Sequence, residues 1–258
     1  MPLRMDSTAI SAVPSMRWRP DSRWIAALNS SPVIWPEAKR QSMRQLHYFP
    51  GNASMAPHIV LREIGEPFEL VLVDREHDAH KSAAYLRLNP NGLIPVFVDG
   101  DLVLYESAAI CLHLVDSASQ AGLIPLPGST ARAHCYKWLM WLTNTMQPAL
   151  LAYFYPERWV DAGDRAAAEV VKVHAEAKVG AMLAQLDAEL ARHGGPWLLG
   201  AQYSVADPFC MMLCRWTRGF ASRPARDWPH LGRYLQRILE RPAVQLALTT
   251  EKLEAPWV

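Results

Sequence analysis

Two short pairs of residues have the types and spacing to hold a ligand: Ile94-Pro95, placed directly ahead of an apolar run, and Glu106-Ser107, which begins eleven residues after Pro95. A proline at the first position of a strand forfeits no ladder hydrogen bond, and a cis peptide before it turns the Ile94 N–H and C=O outward as an edge for a peptide backbone. A helix starting at Ser107 offers free backbone N–H groups and a partial positive charge to a carboxylate, while Glu106 offers a partner to an ammonium. Together the pairs suit a zwitterionic head group beside a peptide backbone. Taken separately they also read as an ordinary proline at a strand start and an ordinary serine cap.

Other chemistry-bearing residues carry less. Ser204-Val205-Ala206-Asp207 is a capping box, a structural device worth about 0.5–2 kcal/mol. His77 and His80 have a spacing that can hold a metal, but no third ligand accompanies them, so the sequence predicts a solvated loop and no metal. The four cysteines, Cys111, Cys135, Cys210 and Cys214, contain no CxxC pair and read as buried, reduced thiols suited to a reducing cytosol. Trp138, Trp141, Tyr153, Phe154, Tyr155 and Trp159 divide between core and the wall of an apolar pocket.

The elements that must position these residues follow from periodicity. Leu46 to Phe49 is a short apolar run, and Ala56, Ile59, Val60 and Ile64 then share one helical face before Gly65 stops the turn. Phe68 to Val73 reads as a second, largely buried strand, which makes a βαβ unit. A polar stretch leads to a short helix near Tyr85, then to a hairpin, Val96 to Val98 and Leu102 to Leu104, turning at Asp99-Gly100. A helix begins around Glu106. Beyond the linker at 123–128 only helical patterns remain: one helix that Pro148 kinks or ends, a long one striped by Val170, Val173, Ala177, Leu183, Leu186 and Leu190, and two or three shorter ones. The predicted class is α/β plus all-α, with domains at 43–122 and 129–258.

The chain of 258 residues carries 26 basic and 25 acidic side chains, a net charge of +1, which gives no global attraction to nucleic acid or an anionic membrane. Charged residues or histidines interrupt every apolar stretch short of a membrane span. Residues 1–42 hold five prolines and five arginines without helical or strand period, and read as a disordered extension or a start assigned too early, with Met43 a natural beginning. Their composition also resembles a transit peptide.

Three stretches resemble the glutathione S-transferase superfamily, over residues 43 to about 250. HYFPGNASMAPHIVLREIGEPFE is similar to the first strand, active-site loop and first helix of bacterial members, nearest the beta class; NPNGLIPVFVDGDLVLYESAAICLHL resembles the glutathione-docking segment; WLLGAQYSVADPF resembles the capping box of the helical domain. The resemblance implies a thioredoxin-like N-terminal domain and a helical domain holding an apolar electrophile. It implies a cytoplasmic homodimer, and a detoxifying transferase with glutathione as cosubstrate. It implies Ile94 as backbone partner of the cysteinyl group, Pro95 as the cis-proline, and Glu106 and Ser107 as partners of the γ-glutamyl group. Where beta-class members carry a cysteine this chain has Ala53, so Ser54 is the first candidate to activate the thiol and Tyr48 the second. Ser54 also reads as a plain N-cap, and His58, four residues later, reaches toward the same place. Gln147 stands where related enzymes often place a histidine. Reduction, peroxide reduction, dehalogenation or ether cleavage with the same cosubstrate remain alternatives, as does a glutathione-binding regulatory module with little turnover. A metal-binding hydrolase is the remaining class.

Overall fold

The computed structural model describes residues 43–258; the expectations for 1–42 lie outside them. Strand β1 (Arg44–Tyr48) buries Leu46 and stops before Pro50. Helix α1 (Met55–Ile64) closes where Gly65 takes φ 79° and its N–H donates to Leu61 O at 3.1 Å. It returns the chain to strand β2 (Phe68–Leu72), parallel to β1, which is the predicted βαβ unit. The four-residue helix α2 (Ala83–Leu86) leads to strands β3 (Val96–Asp99) and β4 (Leu102–Tyr105), and helix α3 (Ser107–Ser117) follows. The sheet order is β2-β1-β3-β4, mixed, with β3 antiparallel to both neighbours.

Two local expectations are corrected. Strand β2 lies at the sheet edge, so Leu72 is 59% exposed and the strand is not largely buried. The hairpin pairs Asp99 with Leu102, so the turn is Gly100-Asp101 and only Gly100 (φ 62°) needs a positive φ.

The rest is helical: α4 (Thr130–Trp141), α5 (Gln147–Phe154), α6 (Arg165–His193), α7 (Ala206–Trp216), α8 (Pro229–Leu239) and α9 (Pro242–Thr250). Pro148 neither ends nor simply kinks its helix. Lacking an N–H for the ladder, it is accommodated by a π-helical turn over Leu142–Met146 that joins α4 to α5. On α6 the buried stripe is Ala175, Val179, Met182, Leu183, Leu186 and Leu190, whereas Val170, Val173 and Ala177 are exposed. At 29 residues α6 runs roughly 43 Å, and its buried positions fall between residues 175 and 190. One continuous apolar core runs from Leu46, Ile59 and Ile110 beneath the sheet to Leu139, Leu186 and Phe209 among the helices. Helix α1 is the shared wall: it packs on α3 and, from the helical side, on α7 and α9.

The capping box forms with a variation. Asp207 Oδ2 accepts the Ser204 N–H at 2.7 Å and its hydroxyl at 3.2 Å, while Oδ1 accepts Leu198 N–H and Tyr234 O–H. All four cysteines are free and buried, and Cys210 and Cys214 bring their sulfurs within 4.0 Å. Among the described residues no helix is long and apolar enough to cross a membrane, and no group of three or more His, Cys, Asp or Glu could hold a metal.

Candidate active site

A cleft of about 360 Å³ opens where the loop between β1 and α1 meets the helices. Gly51, Asn52 and Ala53 form its floor, Leu93 and Ile94 one wall, and Gln147, Leu151, Phe154, Tyr155 and Trp216 the other. The Ile94–Pro95 peptide is cis, and Ile94 lies beyond the last ladder pair, His47 with Val96, so its backbone stands at the cleft rather than in the sheet. Ser107 opens α3 and its hydroxyl donates to Ala53 O at 2.9 Å, tying the start of that helix to the cleft floor. Glu106 is exposed and sits at φ 73°, ψ 111°, a conformation that L-residues rarely adopt and that is concentrated at functional sites.

Ser54 and Tyr48 do not line the cleft. Ser54 is fully buried: its hydroxyl lies 3.1 Å from Phe49 O and 2.7 Å from Asn52 Oδ1, and its backbone N–H donates to the same Oδ1 at 2.8 Å. It makes no side-chain cap bond to α1 either. Tyr48 is half-buried, and burial first, then the charge of Glu251, raise its phenol above the ordinary value, so it stays protonated. Between them Asn52 comes forward. Both hydrogen bonds to its carboxamide are made at Oδ1, and among the described residues its Nδ2 donors have no partner, on a residue that faces the cleft.

The loop is held from behind. Gly51 N–H donates to Glu251 Oε2 at 2.8 Å, and Gly51 O accepts from Trp216 Nε1 at 3.0 Å. Gly51 has φ 68°, and a Cβ there would stand 3.3 Å from Leu253. His58 is fully buried away from the cleft, with Nδ1 2.7 Å from Glu251 Oε1 and Nε2 accepting from Arg62 Nε at 3.2 Å. Because Arg62 can only donate, the His58 proton sits on Nδ1 and points at Glu251. His77 is exposed and bonded to Asp74, whereas His80 lines the cleft. Of the aromatic set, Phe154 and Tyr155 line the cleft, Trp138 is core, and Trp159 is 63% exposed. Asn52, Trp216 and Glu251 carry no motif that the sequence alone would flag.

Comparison with known proteins agrees with this geometry. Sequence models of the glutathione S-transferase N-terminal and C-terminal domains match residues 42–116 and 142–242. A glutathione S-transferase of Xanthomonas campestris pv. campestris is 31% identical over 211 residues, covering 81% of this chain and 99% of its own. GstA of Escherichia coli O157:H7 is 28% identical and is covered along its whole length. A sphingomonad glutathione S-transferase complexed with glutathione superposes with a TM-score of 0.69 at 33% identity, over 81% of this chain and 100% of that one. With the mixed four-stranded sheet and the helical half in place, the chain belongs to the glutathione S-transferase family, and its fold is a thioredoxin-like domain followed by an all-helical one.

Proposed function

We propose that the protein binds glutathione in this cleft and transfers its thiolate sulfur to an electrophilic small molecule whose apolar part rests on Leu151, Phe154, Tyr155 and Trp216. The observation that carries the reading is the Ile94 backbone, clear of the sheet ladder and at the cleft, facing a loop at the start of α1 across from an apolar wall. The Ile94 backbone pairs with the cysteinyl unit, Pro95 holds that edge, and Glu106 and Ser107 take the γ-glutamyl ammonium and carboxylate at the head of α3. The sulfur then lies over Asn52 and Ala53. There the Asn52 carboxamide donates to it and the N-terminal field of α1 favours its charge. Ser54 acts through Asn52 as a positioning residue, and Tyr48 is the remaining hydroxyl donor. Conjugation is favoured over disulfide reduction because Ala53 and its neighbours supply no thiol to form a mixed disulfide.

The energy required is modest. Lowering a thiol from about 8.5 by roughly 1.5 units amounts to about 2 kcal/mol, the scale of one charge-assisted hydrogen bond. The test is the ultraviolet thiolate absorbance of bound glutathione against pH in the wild type, Asn52→Ala, Ser54→Ala and Tyr48→Phe. The expected result is a depressed thiol pKa in the wild type, most of the shift lost in Asn52→Ala, and part of it lost in Ser54→Ala. An unchanged titration in Asn52→Ala moves the role to Tyr48 or to a backbone N–H. Absence of bound thiolate in the wild type overturns the transferase reading.

A further inference from the structure

Three guanidinium groups line the cleft, Arg75, Arg158 and Arg218, and none of the lining residues is Asp or Glu. Arg75 reaches across to donate to Tyr155 Oη at 2.5 Å, and Arg158 stacks 4.1 Å from the centre of the same ring. Arg218 donates only to a backbone carbonyl, that of Arg215. Among the described residues no carboxylate lies within salt-bridge distance of any of the three. Behind the cleft, burial above all, and after it the charge of Arg218, bring Arg215 down to about 10. His80, also at the cleft, has a carboxylate of its own, Asp78 at 3.9 Å.

Glutathione does not use up this charge. Its γ-glutamyl carboxylate and ammonium are assigned to Ser107 and Glu106 and its thiolate to Asn52, which leaves one glycyl carboxylate for three guanidiniums. Arg158 and Arg218 stand on the helical side, beside the apolar wall where the second substrate rests. We propose that the electrophile is an organic anion: a planar apolar body bearing a carboxylate or sulfonate that Arg158 and Arg218 receive while the ring lies against Phe154, Tyr155 and Trp216. This assignment rests on the glutathione reading given above. Guanidinium forks bind such groups with two parallel hydrogen bonds, and their attraction offsets the repulsion between an anionic substrate and an anionic cosubstrate.

The test compares 4-chloro-3,5-dinitrobenzoate with its neutral methyl ester as substrates. In both, the thiolate attacks the ring carbon bearing chlorine, the C–S bond forms, and the C–Cl bond breaks with its electron pair leaving on chloride. Values of kcat/KM are divided by the uncatalysed rate with glutathione, because the two rings differ in reactivity. The expected result is a preference for the carboxylate of at least about tenfold that shrinks as sodium chloride is raised, and a ratio that collapses toward one in Arg158→Gln and Arg218→Gln. Equal use of both substrates overturns the proposal. So does a loss in the variants that falls equally on both, or one accounted for by a raised Kd for glutathione. Binding of the unreactive 3,5-dinitrobenzoate and its methyl ester, followed by tryptophan fluorescence, needs no turnover. Selective binding of the anion without turnover overturns the transferase reading and leaves the anion site standing, whereas equal binding overturns the anion site whatever the turnover.

Discussion

Glu251 never reaches the cleft, yet the structure makes it responsible for the shape of the cleft floor. Its carboxylate is the acceptor for two donors, the half-buried Gly51 N–H and the fully buried His58 Nδ1–H. Replacing Glu251 with Ala strips both. A buried donor left without a partner costs about 1–3 kcal/mol and a half-buried one less, so the sum is roughly 1–5 kcal/mol, a sizeable share of a net stability of about 5–15 kcal/mol. At about 2–4 °C per kcal/mol for a chain of this size, the melting temperature falls by roughly 2–20 °C. Glu251→Gln keeps the volume and one acceptor but turns its NH2 toward the other donor, so its loss is intermediate.

Thermal unfolding followed by circular dichroism reads the first effect, and the thiolate titration of bound glutathione reads the second. Gly51 directly precedes Asn52, so releasing it unseats the carboxamide, and the thiol pKa returns toward its free value although the substituted residue touches no ligand. Glu254→Ala, three residues on and exposed, is the control. A Glu251→Ala protein that melts within about 1 °C of the wild type and of Glu254→Ala refutes the reasoning.

Further expectations follow from single contacts. Gly51→Ala must hold a positive φ and press against Leu253, so it loses about 1–2 kcal/mol in denaturant unfolding and weakens glutathione binding more than stability alone explains. Arg241 grips Glu63 with two hydrogen bonds, 2.5 and 2.7 Å, joining the head of α9 to α1; Arg241→Lys loses the fork and on the order of 1 kcal/mol in the same assay. Burial pushes the Asp207 carboxyl from 3.8 to about 6 in the folded chain. Its folded value lies above its unfolded one, so the folded state holds more proton between about pH 4 and 6. The contribution is full below pH 4 and is lost as pH rises through 6. The unfolding free energy of the wild type relative to Asp207→Asn is therefore expected to fall by on the order of 2–3 kcal/mol from pH 4 to 8.

What the sequence disclosed was written in neighbours, and what it withheld was written across the chain. Proline fixes its own surroundings, so Ile94-Pro95 marks the proposed docking edge without help from the fold, and Gly65 and Gly194 end α1 and α6 by their own conformational freedom. Periodicity says which face of an element is buried but not how far the covering layer reaches. For that reason Val170 and Val173 share a pattern with the core and lie outside it, and β2 carries a core-like composition at an edge. The hold on the cleft floor joins Gly51 to a carboxylate 200 residues away, and no local pattern encodes such a pair. The choice between Ser54 and Asn52 is subtler, because both are polar, two residues apart, on one loop. A hydroxyl at a helix start reads as the reactive group, but a carboxamide presents its acceptor and its donors at opposite ends. Once Ser54 occupies the Asn52 acceptor, the donors are the end left for the cleft, and it is the pairing of the two side chains, invisible in either alone, on which their proposed roles rest.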